Sequence, residues 1–234
     1  MKERPILFSG EMVRAILNGQ KTQTRRVCKL QPTRDIYGWW ILTADEGKPF
    51  LVNGQACSVL KTTEVDDLRA ALQSLPCPYG VPGDRLWVRE CFGFTAQWPL
   101  SYQRQWLAER SPWLPGNITM AYRADEPEGN WCWKPSIHMP KIYSRITLEI
   151  VNVRVERVRE ITEDDAREEG IIIPDYMAGT VRLPHGGAPV LRTSYGSRFA
   201  DLWDRINAER GYGWDTNPWV WVIEFKRVET KGGE

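Results

Sequence analysis

The sequence predicts an α+β fold: a small curved or closed β-sheet with short helices at its ends. Three observations carry this. Residues 144–158 read as one long strand whose alternation changes phase. Ile146, Leu148 and Ile150 share one phase and Val151, Val153 and Val155 the other. A slip near Ile150 is what a bulge or bend produces in a closed or strongly curved sheet. The helical stretches are short and carry cap signals. The chain also lacks the regular βαβα alternation of a doubly wound sheet, and no Gly-rich phosphate loop follows a strand, which argues against Rossmann and P-loop enzymes.

The elements follow in order. Residues 5–8 read as a short strand. Ser9 caps a helix through Asn18, with Met12, Val13, Ile16 and Leu17 on one face and Gly19 as its stop. Residues 20–27 are extended. Tyr37-Gly38-Trp39-Trp40-Ile41 reads as a strand of a hairpin, 65–75 as a helix, and 76–83, rich in Pro and Gly, as a loop. Pro82-Gly83-Asp84 is a turn signal before the strand 85–90. Residues 94–117 are aromatic and Pro-rich without a period, and 120–123 is a short strand. Thr162-Glu163-Asp164-Asp165 opens a capped helix ending at Gly170. Ser197 caps a helix over 198–209 with Phe199, Leu202, Trp203 and Ile206 on one face. Residues 218–228 form a last strand, with Trp219, Trp221, Ile223 and Phe225 on one side and Val220 and Val222 on the other. The domain reading is a single domain, 1–234, with insertions at about 31–81 and 94–143 and a loop-rich segment at 171–196.

Composition narrows the function classes. With 42% hydrophobic and 26% charged residues in a chain of 234, the balance is that of a globular protein. No run approaches the roughly 18 apolar residues of a membrane span, and no secretory signal is evident at the N-terminus. The expected location is cytoplasmic. A net charge of +1 disfavours coating of long nucleic acid through phosphates alone. The charge is uneven, however: residues 21–34 hold five basic side chains and no acidic one. The five cysteines have no C-x-x-C spacing and there are only two histidines, so the expectation is reduced thiols, no disulfide, no metal and no cofactor. Twelve tryptophans exceed what a core of this size needs and leave indoles for a binding surface.

At Gly19-Gln20-Lys21-Thr22-Gln23-Thr24-Arg25 the chain resembles the ASCH family, a branch of the PUA-like β-barrel superfamily. That family carries a Gly-x-Lys-x-x-x-x-Arg-like element just after its first helix, and Arg25 or Arg26 stands for its arginine. Gly83-Asp84 resembles the family's strand opening, 161–169 its short acidic helix, and Val220-Trp221-Val222-Ile223-Glu224-Phe225 its closing strand. The resemblance covers somewhat under half the chain and is similar to an enlarged phage and prophage group. It implies a PUA-like/ASCH curved barrel with flanking helices and insertions.

The resemblance also implies chemistry. Some ASCH proteins are RNA-binding modules, one bacterial group hydrolyses the amide of N4-acetylcytidine with a Lys, a Thr and a Glu, and another has been described as a ribonuclease. The Lys-x-x-Thr pattern falls on Lys21 and Thr24, and the Glu on Glu169, with Glu168 one register away. Amide hydrolysis needs a nucleophile, a base and a proton donor for the leaving amine. Thr24 is the nucleophile, Lys21 the base if burial lowers its pKa, and Glu169 the proton relay. The plain alternative makes Lys21 a solvated lysine, Thr24 a β-former and Glu169 a surface residue, although a carboxylate in a helix's last turn opposes the dipole. On a flat strand Lys21 and Thr24 would face opposite ways, so the triad requires a break at Thr22-Gln23.

Around this core, Arg25, Arg26, Lys29 and Arg34 are candidates to hold phosphates, or else a solvated edge. Trp39, Trp40 and Trp87 are candidates to stack a base, or else pack the core. Arg89 and Arg145, inside strand patterns, are aimed at something and are candidates to bind the ligand, as is His138 in the loop before the long strand, which otherwise reads as an ordinary loop histidine. The expected ligand is a nucleoside or RNA, recognised with or without turnover. A second class is a phage protein that binds a host protein through the Trp- and Pro-rich segment 94–114.

Overall fold

The computed structural model describes residues 1–43, 50–52, 55–95, 119–173, 180–181, 190–191 and 194–228. Most of the segment 94–114 therefore lies outside the described residues. In chain order the strands are β1 (Glu3–Leu7), β2 (Gln23–Val27), β3 (Thr33–Arg34), β4 (Trp40–Thr43), β5 (Phe50–Val52), β6 (Gln55–Cys57), β7 (Val59–Thr62), β8 (Arg85–Arg89), β9 (Phe92–Thr95), β10 (Met120–Tyr122), β11 (Trp131–Lys134), β12 (Thr147–Arg157), β13 (Thr180–Val181), β14 (Val190–Leu191) and β15 (Trp219–Val228). The α-helices are α1 (Gly10–Leu17), α2 (Val65–Gln73), α3 (Glu163–Glu168) and α4 (Tyr195–Asn207). The fold is α+β. Its largest sheet has five strands in the order β1-β8-β12-β15-β2, and no pairing among the described residues closes it into a barrel. No described helix is long and apolar enough to cross a membrane.

The chain divides into two compact units: 1–21, 82–151 and 225–234 in the first, 22–81 and 152–224 in the second. In the first, β1 runs parallel to β8, and the start of β12 is antiparallel to β8. Asp84 sets this register. Its buried carboxylate accepts the Lys2 N–H at 2.7 Å and Arg4 Nη1 at 2.8 Å, while its carbonyl accepts the Ile150 N–H at 2.9 Å. Gly83 before it has φ +87°, a turn conformation that β-carbon residues resist. Helix α1 is capped by Ser9, whose side chain accepts the Met12 N–H, and it buries Val13, Ala15 and Ile16. A second sheet, β10-β9-β11, packs Phe92 and Phe94 with Met139 and Tyr143.

In the second unit β2 and β15 pair antiparallel, and Val220 and Val222 meet Phe199 and Trp203 of α4, Ala166 of α3 and Val158. Strands β3, β4 and β7 form a small sheet of their own. Gln73 of α2 serves as a substitute strand for the later part of β12. Its amide donates to the Val153 carbonyl at 3.1 Å and accepts the Val155 N–H at 2.7 Å, which satisfies backbone groups that have no strand beside them.

The expected phase slip is present. Ile146, Leu148 and Ile150 are buried, Val151 and Asn152 are both exposed, and burial resumes at Val155. Two expectations are corrected. Tyr37-Gly38-Trp39 is the turn between β3 and β4 rather than part of a strand, because Asp35 Oδ1 accepts the N–H groups of both Tyr37 and Trp39 at 2.9 Å. Helix α4 starts earlier than expected and is capped by Ser194, with Ser197 as the reciprocal member of its capping box. Phe199, Trp203 and Asn207, spaced by four, make its inward face; the Asn207 amide bonds the Trp203 carbonyl, and Ile206 is 39% exposed.

Ser194→Ala should lower stability by about 1 kcal/mol and Ser194→Gly by a few tenths, read from urea unfolding. Phe199→Ala, in the centre of the α4 contact, should cost about 3–5 kcal/mol.

Candidate functional site

The polar centre of the second unit is built on β2. Strand alternation puts Gln23 and Arg25 on the side that faces α3, opposite Glu224 and Val222 of β15. The Arg25 side chain is wholly inaccessible to solvent. Its Nη2 lies 3.0 Å from Glu156 Oε2 and 3.2 Å from Asp165 Oδ2, its Nη1 lies 3.5 Å from Glu169 Oε1, and its carbon sits 5.9 Å from the Phe199 ring centroid. Arg154, two residues before Glu156, binds Glu156 and Glu224 and reaches Asp165 Oδ1 at 3.2 Å. Two guanidiniums thus meet four carboxylates.

Asp165 is the hub. It closes the α3 capping box with Thr162 and accepts Gln23 Nε2 at 2.9 Å. Burial alone would push its carboxyl up. The Gln23 and Thr162 hydrogen bonds and the Arg25 charge outweigh that and hold it down at about 2. Gln23 Oε1 and Arg25 Nε are buried with no hydrogen-bond partner among the described residues.

Glu169 is the C-terminal cap of α3 and is 5% exposed, whereas Glu168 is exposed. The register choice therefore falls on Glu169 as the inward carboxylate. Arg25 supplies the positive charge that offsets its unfavourable position at a helix C-terminus. The Glu168 carbonyl accepts the Thr22 N–H at 2.8 Å, which ties the entry to β2 to the end of α3.

Thr24 is 2% exposed and lies on the other side of β2, paired with Ile223. Arg26 follows on that side, half-buried. Burial lowers its pKa and nearby Arg210 adds to this, against the opposing charges of Tyr79 and Glu169. Trp221, the strand partner of Arg26, lines a cleft of about 200 Å3 with Leu72, Leu75, Cys28 and Lys29. Burial and the neighbouring Cys77 push the Cys28 thiol well up, so Cys28 stays protonated there. Trp39 stands in the β3–β4 turn, 40% exposed.

The remaining candidates belong to the first unit. Lys21 is 2% exposed, with its backbone N–H on the Ala15 carbonyl and its Nζ 5.6 Å from the Phe8 ring centroid. Trp87 is buried under the Arg89 guanidinium at 4.7 Å, and Arg89 Nη1 donates to the Ile137 carbonyl at 3.2 Å. His138 is exposed at the end of a short turn. Arg145 bonds Glu90 at 2.8 and 3.0 Å and Asp125 at 2.7 and 2.8 Å. Burial raises the Glu90 pKa in spite of Arg145.

The structure thus changes the expected roles of two arginines. Arg25 is not on a solvated phosphate strip, because three carboxylates already surround it. Arg145 points at Glu90 and Asp125 and ties their segments together. The plain readings of Lys21 as solvated and Glu169 as a surface residue are corrected by their burial. Sequence reasoning missed Gln23, Arg154, Glu156 and Asp165. Their signal was strand alternation, with Gln23 two residues before Arg25 and Arg154 two before Glu156. No group of three or more His, Cys, Asp or Glu side chains among the described residues is arranged to hold a metal ion, and the five cysteines are free thiols.

Arg25→Ala should destabilise the protein by about 3–5 kcal/mol, since it strands buried carboxylates, whereas Arg167→Ala, an exposed pair on α3, should cost under about 1 kcal/mol. Asp165 has a lowered folded pKa of about 2 against 3.8 for the free group. Its contribution is therefore complete above about pH 4 and is lost as pH falls through about 2. Acid unfolding of Asp165→Asn should show a flatter pH dependence in that window.

Comparison with protein-family models, with curated proteins and with solved structures finds no match to this chain.

Proposed function

We propose that this protein is an ASCH-type nucleoside- or RNA-binding protein with a PUA-like curved barrel, which recognises a modified base and hydrolyses an amide on it, with N4-acetylcytidine as the model substrate. The observation that carries the reading is burial. Lys21, Thr24 and Glu169, the three residues that the resemblance selects, are 2%, 2% and 5% exposed. A lysine, a threonine and a glutamate picked at random from a surface loop, a strand and a helix end would be mostly exposed.

In this reading Thr24 Oγ1 attacks the acetyl carbonyl as Lys21, in its neutral form, takes the hydroxyl proton. The tetrahedral oxyanion then collapses with cleavage of the C–N bond, and Glu169 in its protonated form delivers a proton to the departing exocyclic amine of cytidine. Water then attacks the acetyl-threonine ester and gives its proton to Glu169; the Thr24 oxygen departs with the proton held by Lys21, and acetic acid leaves and ionises to acetate. Arg25 acts as a positioning residue that holds Glu169. The same reading places the protein in the cytoplasm.

The test is incubation with acylated and unmodified nucleosides and short RNAs, read by mass spectrometry. Loss of acetate from N4-acetylcytidine is expected. Thr24→Ala and Glu169→Gln should abolish it with smaller effects on binding. Because Lys21 is buried, Lys21→Met is the variant that keeps its volume, and it should weaken both binding and turnover. Unchanged turnover and affinity in well-folded Lys21→Met would remove the site assignment, and no interaction with any nucleoside or RNA would remove the function.

A further inference from the structure

We infer that the β3–β4 hairpin is a separate binding surface for single-stranded nucleic acid, with Tyr37 and Trp39 as stacking platforms and Arg34 as the phosphate contact. The inference does not depend on the reading of Lys21, Thr24 and Glu169.

The hairpin tip exposes what a fold has no reason to expose. Ile36 is 91%, Tyr37 79% and Trp39 40% accessible, in three of four successive residues. Yet the backbone beneath them is firmly held. Asp35 accepts the Tyr37 and Trp39 N–H groups with its side chain and the Gly38 N–H with its carbonyl, and its own N–H donates to the Trp39 carbonyl. Lys61 of β7 pairs with the same carboxylate at 2.9 Å. Gly38 has φ +84°, which permits this tight turn. The aromatic rings therefore project from an ordered platform, and binding a ligand there does not require the turn to be ordered first.

The chemistry around the tip selects the partner. Arg34 is exposed, its guanidinium 4.5 Å from the Trp40 ring centroid, and no carboxylate pairs with it among the described residues. On Trp40 also lies Arg157, at 5.0 Å. Arg34 and Arg69 both bring positive charge to Arg157, whose pKa burial and these neighbours depress. Cations crowded between indoles favour an anion whose backbone carries repeated charge, and exposed flat rings favour bases that stack. Single-stranded RNA or DNA supplies both, without any requirement for a particular sequence. Glu160 already opposes the Arg157 charge, but a purely apolar protein partner, which would use Tyr37 and Ile36, would leave the Arg34 charge unanswered.

The test is fluorescence anisotropy with labelled oligouridylate, oligodeoxythymidylate and a duplex of equal length, at a series of salt concentrations. The single strands should bind and the duplex should bind more weakly. Comparison of the two single strands identifies the source as RNA or DNA. Tyr37→Ala and Trp39→Ala should each weaken binding by about 5- to 150-fold, and Tyr37→Phe should retain it, because stacking needs the ring and not the hydroxyl. Arg34→Gln should reduce the slope of log affinity against log salt by about 0.7. All three positions are exposed side chains, so circular dichroism should show unaltered folds. Two results would overturn the inference. One is no saturable binding of either single strand at low salt, which would leave the tip to a protein partner. The other is affinity unchanged in the Tyr37→Ala/Trp39→Ala double variant.

Discussion

The second unit is organised around one buried cation. The Arg25 guanidinium gathers Glu156 from β12, Asp165 from α3 and Glu169 from the end of that helix, while Phe199 of α4 covers its carbon side. Helices α3 and α4 pack apolar surface against β15 nearby, through Ala166, Trp203, Val220 and Val222. Apolar contact alone would tolerate several rotations of a six-residue helix such as α3. A directional, charge-assisted network tolerates one. The orientation of α3, and with it the inward turn of Glu169, is the structural consequence of where Arg25 sits.

A buried charge in such a place is not automatically stabilising. Taking Arg25 out of water costs several kcal/mol, and its carboxylate partners must return that cost through short, well-directed bonds. The depressed Asp165 pKa records how much of the return is real: Gln23, Thr162 and Arg25 together overcome a burial effect of the opposite sign. Glu90 in the first unit makes the contrast. It has a bidentate arginine of its own, but burial prevails and its pKa rises. Glu90 is the more deeply buried of the two, its side chain 2% exposed against 17% for Asp165, so its desolvation is the harder to offset.

Much of the architecture was legible because it follows from period and caps. The shift of phase in β12, the Ser9 cap, the Thr162 capping box and the two-sided pattern of β15 are local properties. What escaped is not local. Arg25 reads as one more member of a basic run, and only the arrival of Glu156, Asp165 and Glu169, each more than 130 residues away along the chain, turns it inward. The start of α4 was misplaced because Ser194 and Ser197 are the same residue type at the two ends of one capping box, and the sequence alone does not say which is the cap. The Tyr37-Gly38-Trp39 segment looked like a strand because aromatic residues are β-formers. Asp35 overrode that preference with side-chain hydrogen bonds to the backbone of the next residues.

The segments that carry the family resemblance and the insertion at about 31–81 therefore place polar and apolar groups in opposite senses. In the former, Lys21, Thr24, Arg25 and Glu169 are inside. In the latter, Ile36, Tyr37 and Trp39 are outside. Both arrangements work against the ordinary partition of residues between core and surface. Arg25 shows how the first is made tolerable, through carboxylates that surround the buried charge. In the second, Lys61 Nζ lies 5.6 Å from the Trp39 ring centroid, while the Ile36 and Tyr37 side chains stay in solvent and gain nothing from the Asp35 turn that holds them. The burial of Arg25 is accounted for by its own carboxylates. An aromatic tip that is both exposed and firmly held gains stabilisation when something else covers it, which makes the insertion a second surface, beside the Lys21 site, on which an external partner is to be sought.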